Sequence, residues 1–244
     1  MKKGIIFIIT FLIVGVIIAG SIYILLSIQK EKPIVEDEHS KLYIPGVSVE
    51  DVILYFNEVG FGAEIINSGD PYKLQKWNEP IYYFINGDCT EEDSATLLRF
   101  NNWLNTIEGF PGIYETKDFA KTNLNIYFCD KVTMLAIMGP EVNNFDGAVT
   151  FWYTDDIINR AVICYRTDLD QYLRNSVIIE EIYNGLGLIQ DTSIREDSII
   201  YSEFSMPQEL TKIDELLLKI LYSEEIKTGM NADECEEVIR QLYY

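Results

Sequence analysis

Five residues within Ser176–Asp191 have types and spacing that could do chemistry: Glu180, Glu181, Asn184, Gln190 and Asp191. If Leu173–Leu186 forms a helix closed by Gly185 and Gly187, Glu180 and Asn184 stand one turn apart on one face, with Glu181 between them in sequence. At that spacing a helix can offer two ligands to a metal ion, and the intervening carboxylate can activate the metal-bound water. Gly187 follows three residues after Asn184 and closes the helix, and Gln190 comes three residues further on. The donor types do not suit the task. One carboxylate and two amide oxygens make a poor zinc site, and they fall short of the roughly six to eight oxygens that calcium takes. The chain's single histidine, His39, precedes the domain, which leaves no His-ligated metal and no Ser-His-Asp or Cys-His centre within it. The expectation is no metal and no cofactor.

Two readings of the carboxylates remain. In one, Glu181 is a general base whose pKa is tuned by Glu180 or Asp191, serving a hydrolase of envelope peptide or glycan. Neighbouring glutamates on one helix cannot flank a glycosidic bond, so that chemistry needs a second carboxylate about 5–9 Å away. In the plainer reading an inward carboxylate caps backbone amides or pairs with an arginine, for which Arg160, Arg166, Arg174 and Arg195 are the candidates. Asp191 would then cap the loop after the helix. The other features read as structure: Trp77–Pro80 as packing and turn chemistry, Asp155-Asp156 and Asp168/Asp170 as solvated loops, and Leu216–Leu218 as core. There is no phosphate-binding glycine loop or dinucleotide fingerprint.

The elements that must position these residues follow from pattern. Ser48 caps a helix over Val49–Val59, which Gly60, Gly62 and the run from Asn67 to Pro71 break. Ile81–Ile85 is a strand. Thr90 and the acids Glu91–Asp93 start a helix carrying Leu97, Leu98, Phe100, Trp103, Leu104 and Ile107 at helical spacing. Strands follow at Ile113–Thr116, Leu124–Phe128, Gly147–Tyr153 and Arg160–Arg166, then helices at Leu173–Leu186 and Gln208–Tyr222. The fold class is α+β: a mixed sheet of about five strands packed by helices.

With that order in place, the domain resembles a metzincin catalytic domain. Glu180-Glu181-Ile-Tyr-Asn184 stands where that clan has H-E-x-x-H, and Gly187 sets the register that aligns Gln190 with the third ligand. Ser198–Tyr201 is similar to the methionine turn, with Ile200 in the methionine's place, and Leu210–Tyr222 to the C-terminal helix. The chain also resembles a bacterial zincin-like family of unknown function in Leu186–Asp191, Asp214–Tyr222 and Gly229-Met230. The resemblance spans about residues 50–244, and it implies a degenerate zinc-peptidase scaffold. Glu181 would be the former catalytic carboxylate, and Glu180, Asn184, Gln190 and Asp191 would line the cleft. The function expected is a binding or interaction module without zinc-dependent proteolysis.

At the N-terminus, Lys2 and Lys3 precede an uncharged stretch from Gly4 to Ser27. As a helix it would be about 36 Å long, enough to cross a bilayer core. The two lysines favour N-inside, C-outside. Residues 1–27 are thus expected to be a cytoplasmic tip and single-pass anchor in the cell membrane, 28–47 a stalk, and 48–244 an extracytoplasmic domain. Removing the anchor leaves 19 − 2 = 17 basic residues against 39 acidic ones, a formal charge of −22. Such a surface disfavours nucleic acid, leaving an envelope peptide, polymer or protein as the expected partner. Four cysteines, Cys89, Cys129, Cys164 and Cys235, allow three disulfide pairings or buried free thiols.

Overall fold

The computed structural model describes residues 42–62, 72–203 and 206–243. The expected anchor lies outside them, as does the stalk as far as residue 41. Among the described residues no helix is long and apolar enough to cross a membrane.

The domain is α+β, built on a mostly parallel sheet of six strands. In chain order the elements are α1 (Val49–Phe61), β1 (Lys76–Trp77), β2 (Ile81–Gly87), α2 (Glu91–Leu104), β3 (Ile113–Glu115) and β4 (Leu124–Cys129). Then come α3 (Lys131–Met138), β5 (Gly147–Thr154), β6 (Ile157–Arg166), α4 (Gln171–Gly185), α5 (Lys212–Leu221) and α6 (Ala232–Leu242). The strands lie in the order β1-β6-β4-β2-β3, all parallel, while β5 pairs antiparallel with β6. A two-residue turn at Asp155-Asp156 joins that hairpin, both residues having positive φ, as a turn matching the sheet's twist requires. The acidic pair expected to be a solvated loop is therefore the tip of a hairpin.

Side-chain alternation splits the sheet into two unlike faces. Ile81 and Tyr83 of β2, Leu124, Ile126 and Phe128 of β4, and Ala161, Ile163 and Tyr165 of β6 enter the main core with α1, α2, α4, α5 and α6. Among the described residues the opposite face is covered at one end only. There Met134 of α3 closes a small cluster with Cys129, Ala148, Val162 and Cys164.

Helix starts obey their capping residues. Ser48–Asp51, Thr90–Asp93, Thr211–Asp214 and Asn231–Glu234 are reciprocal capping boxes at α1, α2, α5 and α6. The third corrects the expected start at Gln208: Thr211 has extended backbone and accepts from the Asp214 amide, so helix geometry begins at Lys212. Two helices and the short β1 were not anticipated. Yet α3 has an Asp130 cap and a left-handed Gly139 at its end, and α6 has its capping box, so the local signals were present. Residues 42–47, read as the end of a stalk, lie against α6. The Tyr243 hydroxyl stands 2.9 Å from the Val47 carbonyl and 3.1 Å from that of Ile44.

Candidate functional site

Helix α4 starts at Asp170, whose carboxylate accepts from the Leu173 amide. It is buried along nearly its whole length between the sheet and the other helices, with Glu180 the half-buried exception in its second half. At its end Trp77 Nε1 donates to the Gly185 carbonyl at 2.9 Å, fixing the expected packing role of Trp77. Gly187 then takes φ 121°, and a Cβ there would lie 2.1 Å from the Gln75 carbonyl oxygen. Only glycine fits both the torsion and the approach.

This turn brings Asp191 back to the helix, where Asn184 Nδ2 donates to Asp191 Oδ1 at 3.2 Å. Glu180, Glu181, Asn184 and Asp191 thus share one site. Glu181 is 7 % exposed, and no hydrogen bond or ion pair reaches its carboxyl among the described residues. Its space comes from Gly147, the first residue of β5: a Cβ on Gly147 would stand 2.8 Å from Glu181 Cγ. Asn184 Oδ1 is buried without a hydrogen-bond partner.

Gln190 is placed differently from its expected role. Its amide N–H donates to the Val59 carbonyl at 3.1 Å, and its side chain lies near Gly62 at the end of α1. No hydrogen bond joins that side chain to Glu180 or Glu181. The following loop is tied to α1 by Glu58, which accepts from Thr192 Oγ1 at 2.5 Å and Ser193 Oγ at 2.6 Å.

The electrostatics of the site are one-signed. Burial, then the charges of Asp191 and Asp146, pushes the Glu180 carboxyl up to about 8. Burial, then Glu180 and Asp191, holds Glu181 well above the usual carboxylate range. Both shifts favour the protonated form of the carboxyl. None of the four candidate arginines relieves it. Arg174 pairs with Asp93 at 2.8 Å, Arg166 with Asp146 and Asp168, and Arg195 with Asp197, while Arg160 lies over the Trp152 ring. The expected arginine partner is thus absent among the described residues, and burial favours the neutral carboxyl, the other way an unpaired buried charge is avoided.

Among the described residues no three of His, Cys, Asp and Glu converge closely enough to hold a metal ion. The four cysteines are free thiols. Sequence reasoning missed Gly147 and Asp146. Their only signal is a glycine opening a strand behind Asn143-Asn144-Phe145-Asp146.

Fold and site together define an α+β domain whose mostly parallel sheet carries a helix with a buried, proton-retaining carboxyl cluster. The chain belongs to the family described as "Protein of unknown function (DUF2927)", whose model matches residues 50–241. No curated protein matches it.

Proposed function

We propose that this is a membrane-tethered, extracytoplasmic binding module built on a zinc-peptidase-like scaffold, without zinc-dependent proteolysis. The observation that carries the reading is the buried Glu181, whose carboxyl has no hydrogen-bond or ion-pair partner among the described residues and is pushed by that burial toward its neutral form. It stands where a zincin would have its water-activating carboxylate, between Glu180 and Asn184 in place of the two histidines. A carboxyl that keeps its proton cannot accept one from water. The scaffold comparison, which goes beyond the family match, draws support from three features. The antiparallel strand β5 borders the helix through Gly147, Gly187 turns the chain sharply, and buried Asp214 holds the Ser198 loop through a 2.9 Å hydrogen bond. The N-terminal apolar stretch supplies the tether, and the acidic surface favours envelope peptides, polymers or proteins over nucleic acid. Full-length protein supplied with zinc is expected to leave an unfolded polypeptide intact. Cleavage that is lost on chelation and in Glu181→Gln would overturn the proposal.

One observation favours a second reading, a carboxylate-based hydrolase. Glu180 is half-buried, and a carboxyl raised to about 8 holds a proton near neutral pH, as a general acid must. In that reading Glu181 is a proton donor or a neutral hydrogen-bonding group, rather than the base its sequence position suggests. Hydrolysis of an envelope glycan or peptide that disappears in both Glu180→Gln and Glu181→Gln would favour this reading.

A further inference from the structure

Alternation along β4 and β6 turns Cys129 and Cys164 away from the main core, onto the face that α3 covers. The two strands are parallel, with Tyr127 opposite Cys164 and Cys129 opposite Arg166, so the cysteines stand diagonally across the pair. Their side chains meet: the Cys164 thiol donates to the Cys129 sulfur. On the other side of Cys164, the small Ala148 of β5 stands directly opposite. Both cysteines are buried.

Helix α3 follows Cys129 almost at once. Asp130 caps it by accepting from the Thr133 amide, so Met134 and Met138 fall one turn apart on one face of the helix. Both pack into the same cluster as the cysteines, Met134 buried and Met138 half-buried beside it. One small cluster thus gathers two of the chain's four cysteines and two of its five methionines. It holds two thiols, fewer than the three His, Cys, Asp or Glu groups that make a conventional metal site, and its further sulfurs are thioethers.

We propose that this sulfur cluster binds one soft monovalent cation, copper(I), through Cys129, Cys164 and Met134. Thiolate and thioether sulfur are the soft donors that favour copper(I), whereas hard ions favour oxygen. Charge selects the same ion. Burial pushes the Cys164 thiol up to about 12 and raises that of Cys129, so an uncompensated charge is disfavoured here. A single thiolate cancels the charge of a monovalent ion, and Cys164 and Met134 add neutral sulfur. A divalent ion would need two thiolates for the same balance, and zinc takes four ligands of thiolate, imidazole or carboxylate type. The hydrogen bond from Cys164 favours the thiolate on Cys129. Copper(I) therefore bonds to the Cys129 sulfur as its S–H bond breaks; the proton leaves to solvent, and the metal keeps its oxidation state. The cluster lies on the sheet face away from α4, so it is separate from the carboxyl cluster and does not depend on the proposal for it.

Titration of the reduced full-length chain with copper(I) held by the chelator bicinchoninate, under ascorbate and without oxygen, tests this. One ion per chain is expected to pass from the chelator, releasing one proton, with sulfur as the only neighbour in the metal's X-ray absorption spectrum. Cys129→Ala should weaken binding at least about tenfold. Met134→Leu keeps volume and apolar character, so the domain stays folded while binding weakens at least about threefold. Cys89→Ser, at a thiol outside the cluster, should leave binding unchanged. The proposal is overturned if no copper(I) leaves the chelator, or if binding survives Cys129→Ala at full strength. It is equally overturned if Met134→Leu has no effect, or if Cys89→Ser abolishes binding.

Discussion

Gly147 and Glu181 are fitted to each other: a Cβ on Gly147 would lie 2.9 Å from Glu181 Oε1 and 2.5 Å from Val177 Cγ1. The missing side chain on β5 is the room the carboxyl occupies. Gly147→Ala should therefore act as an overpacking substitution, destabilising the domain by about 1–3 kcal/mol. If Glu181 is the group that yields, Gly147→Ala combined with Glu181→Ala should cost less than the sum of the two changes. Urea unfolding of the three variants checks this, and strict additivity would show that the two residues do not share the space.

The carboxyl cluster sets a pH dependence of definite sign. Glu180 and Glu181 have folded-state pKa values raised above the usual carboxylate value by burial and by neighbouring acids. Above pH 4.5 the unfolded state gives up these protons while the folded state still holds them. The folded state then binds more protons, and stability falls as pH rises toward 8. Glu181→Gln keeps the shape and removes the ionisation. It should gain about 1–3 kcal/mol over the parent chain at pH 8, with little difference at pH 4.5. Thermal midpoints of both proteins across that range provide the measurement, and parallel curves would count against it.

A different carboxylate shows the opposite behaviour. Asp93 at the start of α2 is fully buried and accepts from Arg174 Nε at 2.8 Å, joining α2 to α4. Burial disfavours its charge, but hydrogen bonds from Arg174, Gln171 and Thr90 outweigh burial and hold it below the usual range. Its contribution is present at neutral pH and is lost as pH falls through the lowered pKa. The guanidinium also donates to the Thr167 and Leu169 carbonyls and to Gln171 Oε1. Arg174→Ala should cost about 3–5 kcal/mol, since it strands a buried charge, and Arg174→Lys should restore less than half of that. Chemical denaturation at pH 7 tests both.

What was legible in the sequence was local. Ser48, Thr90 and Gly187 each fix a turn or a helix end through their own torsions and the nearest amides, and all three act in the structure as their types dictate. The α+β class and five of the six strands follow from alternation. Two-residue β1 carries too little pattern to be seen, and its place beside β6 comes from tertiary packing. The site was half legible. Glu180, Glu181 and Asn184 share a helix, and Gly187 returns Asp191 to them, so their meeting was implied by spacing. Asp146 and Gly147 arrive from a strand more than thirty residues earlier, and no local rule places them there. The arginine partner failed for the same reason, because Arg174 and Asp93 lie 81 residues apart.

Asp214 links α5 to the loop after α4. It accepts from the Tyr55 hydroxyl at 2.6 Å and from the Ser198 hydroxyl at 2.9 Å on one oxygen, and from Thr211 Oγ1 at 2.7 Å on the other. Hydrogen bonds to a buried carboxylate contribute about 1.5–3 kcal/mol each. Tyr55→Phe should fall at the lower end of that range, because Ser198 remains as a donor to the same oxygen. Ser198→Ala with Tyr55→Phe should cost more than the sum of the single changes. A double-mutant cycle on unfolding free energies measures the coupling.

Lys76 gives the last prediction. This β1 residue is 7 % exposed, and its ammonium donates to the Leu221 carbonyl at 2.7 Å and the Ile226 carbonyl at 2.6 Å, closing the chain after α5. Burial, then the nearby charge of Lys227, lowers its pKa to about 8. Between that value and the ordinary lysine value of about 10.4 the folded protein binds fewer protons than the unfolded chain, so this group's contribution to stability rises with pH. That sign opposes the Glu180 effect below pH 8. Once the two carbonyls lose their charged donor, Lys76→Met should destabilise by about 1–3 kcal/mol at pH 7. It should also abolish the recovery expected between pH 8 and 10. If the parent chain and Lys76→Met have parallel stability curves between pH 8 and 10, the ammonium keeps an ordinary pKa, and its two carbonyl hydrogen bonds offset the burial in full.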